Sequence, residues 1–530
     1  VQACPGTWWY RTRKFVRRHR AVVGLAAALS IAILVGAGAS MRQAKLALTE
    51  RDRAVQMLEQ ATATNEFWDT VLSEGVANDE TVSMPELLKR SEDIAEKAAV
   101  SSPLQYAVAV DSIASLYLSY GLPGKAETLL ERTLDQYQGI REGEHVMCRL
   151  RCAHALAIGT LGRTQEADAI FSQVLGGVRN EPSVKQFCLQ SWATVANENF
   201  DVSNALKYIQ EAHRLQRVSP VRSPWQSAQL DGELAYSYAV NGKTDLAQQH
   251  YESAWKQYET IGRDESHVAV STLNGWGILE IGRGDPAASL NRFDHAIRIA
   301  RKRSPDGQPP PDLIFNRAIA LAALGRFDEA EQQFDAMHAR ASADGNIQLA
   351  AGAVAGDADS KLRRGDFAGA KRRLDGMTAA ERATLVPDSA AMLRFSVVEA
   401  QLLAQQGNHQ AADALLTQAL DGFARKGAII RRRVLALTVH AELLLAMGRN
   451  EAAAIEAQHA VEMAAHTRGQ RAHSDLVGLA HLAQGRIQLS RGDRAGAASS
   501  LNNALENLVK TLGDTHPDTR AAAQLVASLT

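Results

Sequence analysis

From residue 101 onward the chain places apolar residues at the three- and four-residue intervals of amphipathic helices, and the pattern is interrupted at a regular distance. A glycine ends one helical run, an alanine follows five residues later, and a larger apolar residue often follows four after that. The register holds at Gly121, Ala126 and Leu130; Gly162, Ala167 and Phe171; Gly242, Ala247 and Tyr251; Gly325, Ala330 and Phe334. It recurs at Gly365, Ala370 and Leu374; Gly407, Ala412 and Leu416; Gly448, Ala453 and Ala457; Gly492, Ala497 and Leu501. Two copies depart from it: Phe200 replaces the glycine before Ala205 and Ile209, and Gly284 precedes Ser289 and then Phe293. Anchors spaced 38 to 44 residues apart predict an all-α fold, an α-solenoid of about ten antiparallel helix pairs over residues 101–530.

Each position in the register has a mechanical reason. The glycine can take the left-handed conformation that closes a helix and lets the chain reverse. The alanine fits where two helices cross closely, and the residue one turn later on the same face fills the gap between repeats. A single pair cannot bury both of its faces, so only a stack gives a continuous core.

Upstream the pattern changes. Residues 21–40, AVVGLAAALSIAILVGAGAS, carry no ionisable group and are long enough to span a membrane as one helix. Arg11, Arg13, Lys14, Arg17, Arg18 and Arg20 abut this run, which predicts a cytoplasmic N-terminus, one pass of the inner membrane and extracytoplasmic repeats. A cleaved signal peptide, with Ala37-Gly38-Ala39 as the cleavage site, is the competing reading, and it exports the repeats equally. Within the span Gly24, Ala28, Ala32, Gly36 and Ser40 form a small-residue stripe of the kind that lets two membrane helices approach as a homodimer. Twelve of the twenty residues are Gly, Ala or Ser, so composition alone can also produce such a stripe. The helical pattern continues through 41–75, with Leu48, Val55, Leu58 and Thr62 spaced along it, breaks at 76–84, and resumes over 84–100. The chain therefore divides into a basic tail (1–20), a membrane helix (21–40), linker helices (41–100) and the solenoid (101–530).

Composition agrees with this division, because 46% hydrophobic but only 5% aromatic content describes an Ala/Leu-rich helical chain rather than a sheet. The net charge of -1 conceals an asymmetry: six bases and no acid lie in residues 1–20, leaving 52 bases against 59 acids downstream. A mildly acidic solenoid argues against nucleic acid as its partner, since phosphate binding needs a clustered basic surface.

The ten-fold register resembles the tetratricopeptide repeat family, in its longer variety of about 40–42 residues, over about 430 residues. Leu512-Gly513-Asp514-Thr515-His516-Pro517-Asp518-Thr519 is similar to the opening of kinesin light chain-like repeats, and Gly262-Arg263-Asp264-Glu265-Ser266-His267 is a looser version. The resemblance implies a protein or peptide ligand in a concave groove lined by the first helix of each repeat. It also implies a role for Asn274, ten residues before Gly284, and Asn316, nine before Gly325, where related repeats use Asn to bind an extended peptide backbone. Trp276, beside Asn274, joins them as an aromatic anchor. The plainer reading of each Asn is a loop cap or a solvated side chain.

A second resemblance covers residues 7–100. Trp8-Trp9-Tyr10-Arg11, the basic block, the apolar span and Glu66-Phe67-Trp68 look like the juxtamembrane region of bacterial transmembrane serine/threonine kinases that carry tetratricopeptide repeats. No Gly-rich loop, strand Lys, catalytic-loop Asp or DFG motif occurs, so this polypeptide is expected not to be an enzyme. A chain opening at the tail of a kinase reads as a piece of a longer protein or a gene that lost its front. Asp366-Phe367-Ala368-Gly369 is a near miss to DFG that falls at a repeat turn. Gly282-Arg283-Gly284-Asp285-Pro286-Ala287 matches a dinucleotide fingerprint but follows a helix rather than a strand. HExxH, P-loop and G-x-S-x-G motifs are missing, the 15 His are scattered, and no cofactor is expected.

The cysteines form the remaining cluster. His145, Cys148 and Cys152 share one helical face, and Cys188 lies in the next repeat. Metal binding, ordinary core packing and a disulfide all fit these residues. Counting back from the anchors sets Cys188 level with the midpoint between Cys148 and Cys152 on an adjacent parallel helix, so Cys188 can pair with either. Two functional classes follow: a partner-binding extracytoplasmic domain of a kinase-type signalling protein, or a freestanding membrane-anchored scaffold for an assembly or secretion complex.

Overall fold

The computed structural model describes residues 8–75, 84–99, 102–137, 144–177, 181–199, 201–219, 223–303, 307–343, 345–387, 389–426 and 430–529. The regular elements among them are helical. Two compact units are present, one comprising residues 1–120 and 135–146, the other 121–134 and 147–530.

In the first unit a short helix, Trp8–Arg18, precedes an unbroken helix, Arg20–Gly75. Its stretch Arg20–Thr49 has a mean hydropathy of 2.3 and is long and apolar enough to cross a membrane. Most of the break at 76–84 lies outside the described residues, and Met84 opens the next helix, Met84–Ala99. That helix packs on Pro103–Ser119, burying Leu88, Ala95, Ile113 and Ala114, and Tyr117 donates its hydroxyl proton to Glu92 across the pair at 2.5 Å. Burial together with that carboxylate raises the Tyr117 phenol far above its ordinary range.

Helix pairs then succeed one another as the register predicts. After Pro103–Ser119 and Pro123–Gln136 come Glu144–Thr160 with Thr164–Gly177, Pro182–Glu198 with Val202–Val218, and Pro224–Val240 with Thr244–Thr260. His267–Gly282 with Pro286–Arg303, Pro311–Ala323 with Phe327–Ala343, and Ile347–Arg363 with Phe367–Asp375 follow. The last three pairs are Ala390–Gln405 with His409–Lys426, Ile430–Ala446 with Asn450–Arg468, and Asp475–Ser490 with Arg494–Leu512. Pro517–Ala527 caps the stack, and Pro517 occupies its first turn, where a missing N–H costs nothing. Counting these as repeats 1 to 10, the fold class is the all-α, solenoid type read from the sequence, with Pro103–Ser119 belonging to the first unit.

The glycine anchors work as turns. Gly242, for example, sits at φ 73°, and the N–H of Lys243 closes back onto the carbonyl of Tyr238 at 2.9 Å. The same back-bond closes the degenerate third repeat, from Asp201 to Ala196 at 2.8 Å, while Phe200 itself lies outside the described residues. Every alanine of the register is fully buried, as are its large partners Phe171, Ile209, Tyr251, Phe293 and Phe334. Ser289 takes the alanine position without an unsatisfied hydroxyl, because its Oγ donates to the carbonyl of Gly277 at 2.8 Å.

First helices of successive repeats touch one another more closely than second helices do, so they form the inner face of the coil within the second unit. Successive turns of that coil also meet. Arg431 forms a bidentate ion pair with Asp475 (2.8 and 2.6 Å) and donates to the carbonyl of Ile281 at 2.9 Å, 150 residues away. The Asp475 N–H bonds the Gly284 carbonyl at 2.9 Å. Arg471 reaches Glu280 (2.7 Å) and Asp285, Gln470 N–H reaches Asp245 (3.1 Å), and Arg363 pairs with Asp518 at 3.0 Å. The helix–helix turn edge of repeats 4 to 7 therefore packs on the opposite edge of repeats 9 and 10 and the cap.

Candidate binding site

The inner face is built by first helices whose side chains reach across the repeat spacing. Asn316 Nδ2 donates to Asn274 Oδ1 at 3.0 Å, and Asn274 Nδ2 donates to Asp312 Oδ2 at 3.1 Å. The two asparagines singled out by the sequence are thus neighbours in one hydrogen-bonded chain, held by side chains of the adjoining repeat. Trp276 is not beside them: it is 4% exposed. Two residues along a helix turn through about 200°, so Asn274 facing the interior of the coil sends Trp276 into the packing between helices. There its indole stacks on Tyr251, donates to Gln248 Oε1 at 3.0 Å, and lies under the Arg292 guanidinium at 3.5 Å. Its role here is packing.

Toward the N-terminal end of this face Gln190 Nε2 donates to Glu233 Oε1 at 2.7 Å. Burial pushes the Glu233 carboxyl up to about 7, and the Gln190 hydrogen bond offsets only part of that shift.

Farther along the first helices stand two arginines, Arg394 and Arg432. The Arg394 guanidinium carbon stands 5.1 Å from the ring centroid of Phe315, two repeats earlier, and Arg432 Nη1 donates to the Ala390 carbonyl at 3.1 Å. Burial pushes Arg394 down to about 10, against the pull of Asp359. Arg432 falls well below its ordinary value, through burial first and then repulsion from Arg394, again opposed by Asp359. Two half-buried guanidinium groups thus share the field of one carboxylate, an arrangement that favours an added anion. The sequence signal for it was the run Arg431, Arg432 and Arg433 opening an otherwise apolar helix.

Cys152 and Cys188 form a disulfide across adjacent first helices, with Cα atoms 5.3 Å apart, and Cys148 is buried outside it. Two of the thiols considered for a metal are thereby used. Gly24, Ala28, Ala32, Gly36 and Ser40 lie exposed along the apolar helix. Asp366 caps its helix by accepting from the Gly369 N–H at 2.8 Å, and Gly284 sits at a helix reversal with φ 84°, so both near-miss motifs are repeat turns.

The sequence matches no protein-family model and none of the curated proteins compared with it. Solved structures do resemble the fold. A Rap protein complexed with competence and sporulation factor aligns with a TM-score of 0.52 at 14% identity, covering 71% of this chain and 100% of that one. The Cut9–Hcn1 hetero-tetramer of the APC/C aligns at 0.28 and 11% identity, covering 89% and 96%. Kinesin light chain-type repeats from Podosopora anserina align at 0.28 and 18%, covering 37% and 94%. The fold of this chain is that of the tetratricopeptide-like repeat proteins.

Proposed function

We propose that the solenoid is an interaction module that takes an extended peptide or protein segment along its inner face. Asn274 and Asn316 address the segment's backbone, and Arg394 and Arg432 take a carboxylate side chain or terminus. The observation that carries this reading is the hydrogen-bonded run of Asn316, Asn274 and Asp312 across two repeats, followed along the first helices by Arg394 over the Phe315 ring and Arg432 on the Ala390 carbonyl. A carboxylate placed there forms charge-assisted, bidentate hydrogen bonds where the local dielectric is low. The Rap neighbour was solved in complex with a factor, which is in keeping with this use of the fold.

In the same reading the helix at 21–40 anchors the chain in a bacterial inner membrane, with a cytoplasmic basic tail and extracytoplasmic repeats, and its small-residue stripe supports a homodimer. The solenoid then serves as the sensory part of a serine/threonine kinase-type signalling protein. A freestanding scaffold is the alternative, and an in-frame kinase in the upstream DNA would decide between them.

The binding test compares wild type with Asn274→Ala/Asn316→Ala and Arg394→Gln/Arg432→Gln in pull-downs from the source cell. Both variants should lose the same partners, and the arginine variant should lose discrimination between acidic peptides and their amidated forms. Unchanged partners at unchanged affinity, with helical circular dichroism intact, would reject the inner face as the binding surface.

A further inference from the structure

Two of the 15 histidines, far apart in sequence, converge on one aspartate. His213 comes from Val202–Val218, Asp231 from Pro224–Val240 and His250 from Thr244–Thr260, and one donor atom from each lies within 4.8 Å of the others. His213 Nε2 is 3.1 Å and His250 Nδ1 2.9 Å from the same oxygen, Asp231 Oδ1. We propose that these three residues bind a divalent transition metal of the zinc type.

Three features of the cluster lead to this assignment. The first is spacing: donors about 2.0–2.1 Å from a tetrahedral ion stand about 3.3 Å apart, so only small side-chain adjustments separate this arrangement from a ligated one. Orientation is the second. Asp231 Oδ2 accepts from Ser253 Oγ at 2.7 Å and from Gln257 Nε2 at 2.6 Å, which fixes the carboxylate and leaves Oδ1 as the ligand. The His250 ring is held by stacking on Tyr238, centroids 5.4 Å apart, and the Tyr238 hydroxyl in turn accepts from Gln210 Nε2 at 3.0 Å. The third is donor chemistry and access. Two neutral imidazoles and one carboxylate carry a charge of about -1, which complements a divalent ion and favours zinc over oxygen-seeking calcium or magnesium. The Asp231 side chain is 9% exposed, while those of His213 and His250 are 22% and 25% exposed, so an ion can reach the site from solvent.

The ligands come from the second helix of repeat 3 and both helices of repeat 4. A metal there ties two repeats together at one point and fixes the angle between them. Three protein ligands leave a fourth position for water, yet the role assigned is structural, because the site joins helices rather than opening a pocket for substrate.

The competing account is that Asp231 simply accepts hydrogen bonds from two imidazole N–H groups. The test uses the full chain in detergent, stripped with chelator and then dialysed against zinc or cobalt(II). Wild type should retain about one equivalent of zinc by elemental analysis, show the visible absorption of tetrahedral cobalt(II), and melt at higher temperature with zinc. His213→Gln/His250→Gln removes two of the three ligands and should abolish both signals. His213→Gln alone keeps a side-chain hydrogen bond to Asp231 and guards against simple misfolding, with circular dichroism as the check. Wild type that retains no more zinc than the double variant, or a double variant that keeps the cobalt spectrum, overturns the assignment.

Discussion

Replacing Gly284 and Gly448 with alanine, one at a time, separates the cost of a repeat turn from the cost of holding two turns of the coil together. Both glycines sit in the left-handed region, at φ 84° and 74°, so an L-residue at either place loses about 1–2 kcal/mol. At Gly448 nothing lies within 4 Å of an added Cβ, and strain is the whole cost. At Gly284 the added atom overlaps Ser474 Oγ and comes within 2.9 Å of Asp475 Oδ1 and Ser474 Cβ. Neither neighbour can yield freely. Ser474 caps its helix, and Asp475, 1% exposed, is clamped by Arg431. Overpacking of this kind adds about 1–3 kcal/mol, and losing the bond from the Asp475 N–H to the Gly284 carbonyl adds about 1 more. Gly284→Ala should therefore be about 2–4 kcal/mol more destabilising than Gly448→Ala. A repeat array need not unfold in one step, so hydrogen exchange is the better assay. Amides of 468–475 should exchange faster in Gly284→Ala and remain at wild-type rates in Gly448→Ala. Equal losses of protection across the two variants, with 468–475 unaffected in Gly284→Ala, would show that the turns are not held by this contact.

Non-reducing peptide mapping should recover Cys152 linked to Cys188, and reduction should cost about 4 kcal/mol for a loop of 36 residues; recovery of Cys148 in the linked peptide would exclude this pairing. Glu233, whose folded pKa is raised to about 7, stabilises the fold fully below about pH 4.5, and this contribution fades as pH rises through 7. Glu233→Gln should thus be more stable than wild type at pH 8 and level with it at pH 4, whereas a gap independent of pH would rule out the titration. Reporter fusions after residue 100 should be active only in an export-dependent reporter; activity confined to a cytoplasmic reporter reverses the topology.

What the sequence made legible depended on whether a feature is local. Each turn needs a left-handed residue and each crossing a small one, so Gly121 and Ala126, or Gly492 and Ala497, announce a helix reversal within six residues. The cysteine pairing was narrowed by the same counting, but Cys148 and Cys152 are one turn apart and only side-chain direction separates them. Trp276 was misplaced for the opposite reason. Aromatic residues concentrate energy at interfaces and in cores alike, and helical geometry, applied to Asn274, already turns a residue two positions later to another face. The cluster of His213, Asp231 and His250 has no motif spacing because its members stand on three helices.

Least legible were the contacts between turns of the coil. Arg431 and Asp475 are 44 residues apart, an ordinary repeat-to-repeat distance, and nothing in either neighbourhood points to Ile281, 150 residues back. Gly284 and Gly325 read as two more turn residues, yet an added Cβ would collide with Ser474 at the first and approach His516 to 2.9 Å at the second. The conformational freedom that makes glycine a turn residue and the bare backbone that admits a neighbouring turn are the same property used twice. Phe315 and Arg394, which meet across two repeats, lie in the stretch of chain between these contacts. If, as proposed, a ligand draws Arg394 and Arg432 toward its carboxylate and binds one pitch better than another, then by linkage loosening the contacts between turns changes its affinity by the same factor that the ligand changes those contacts.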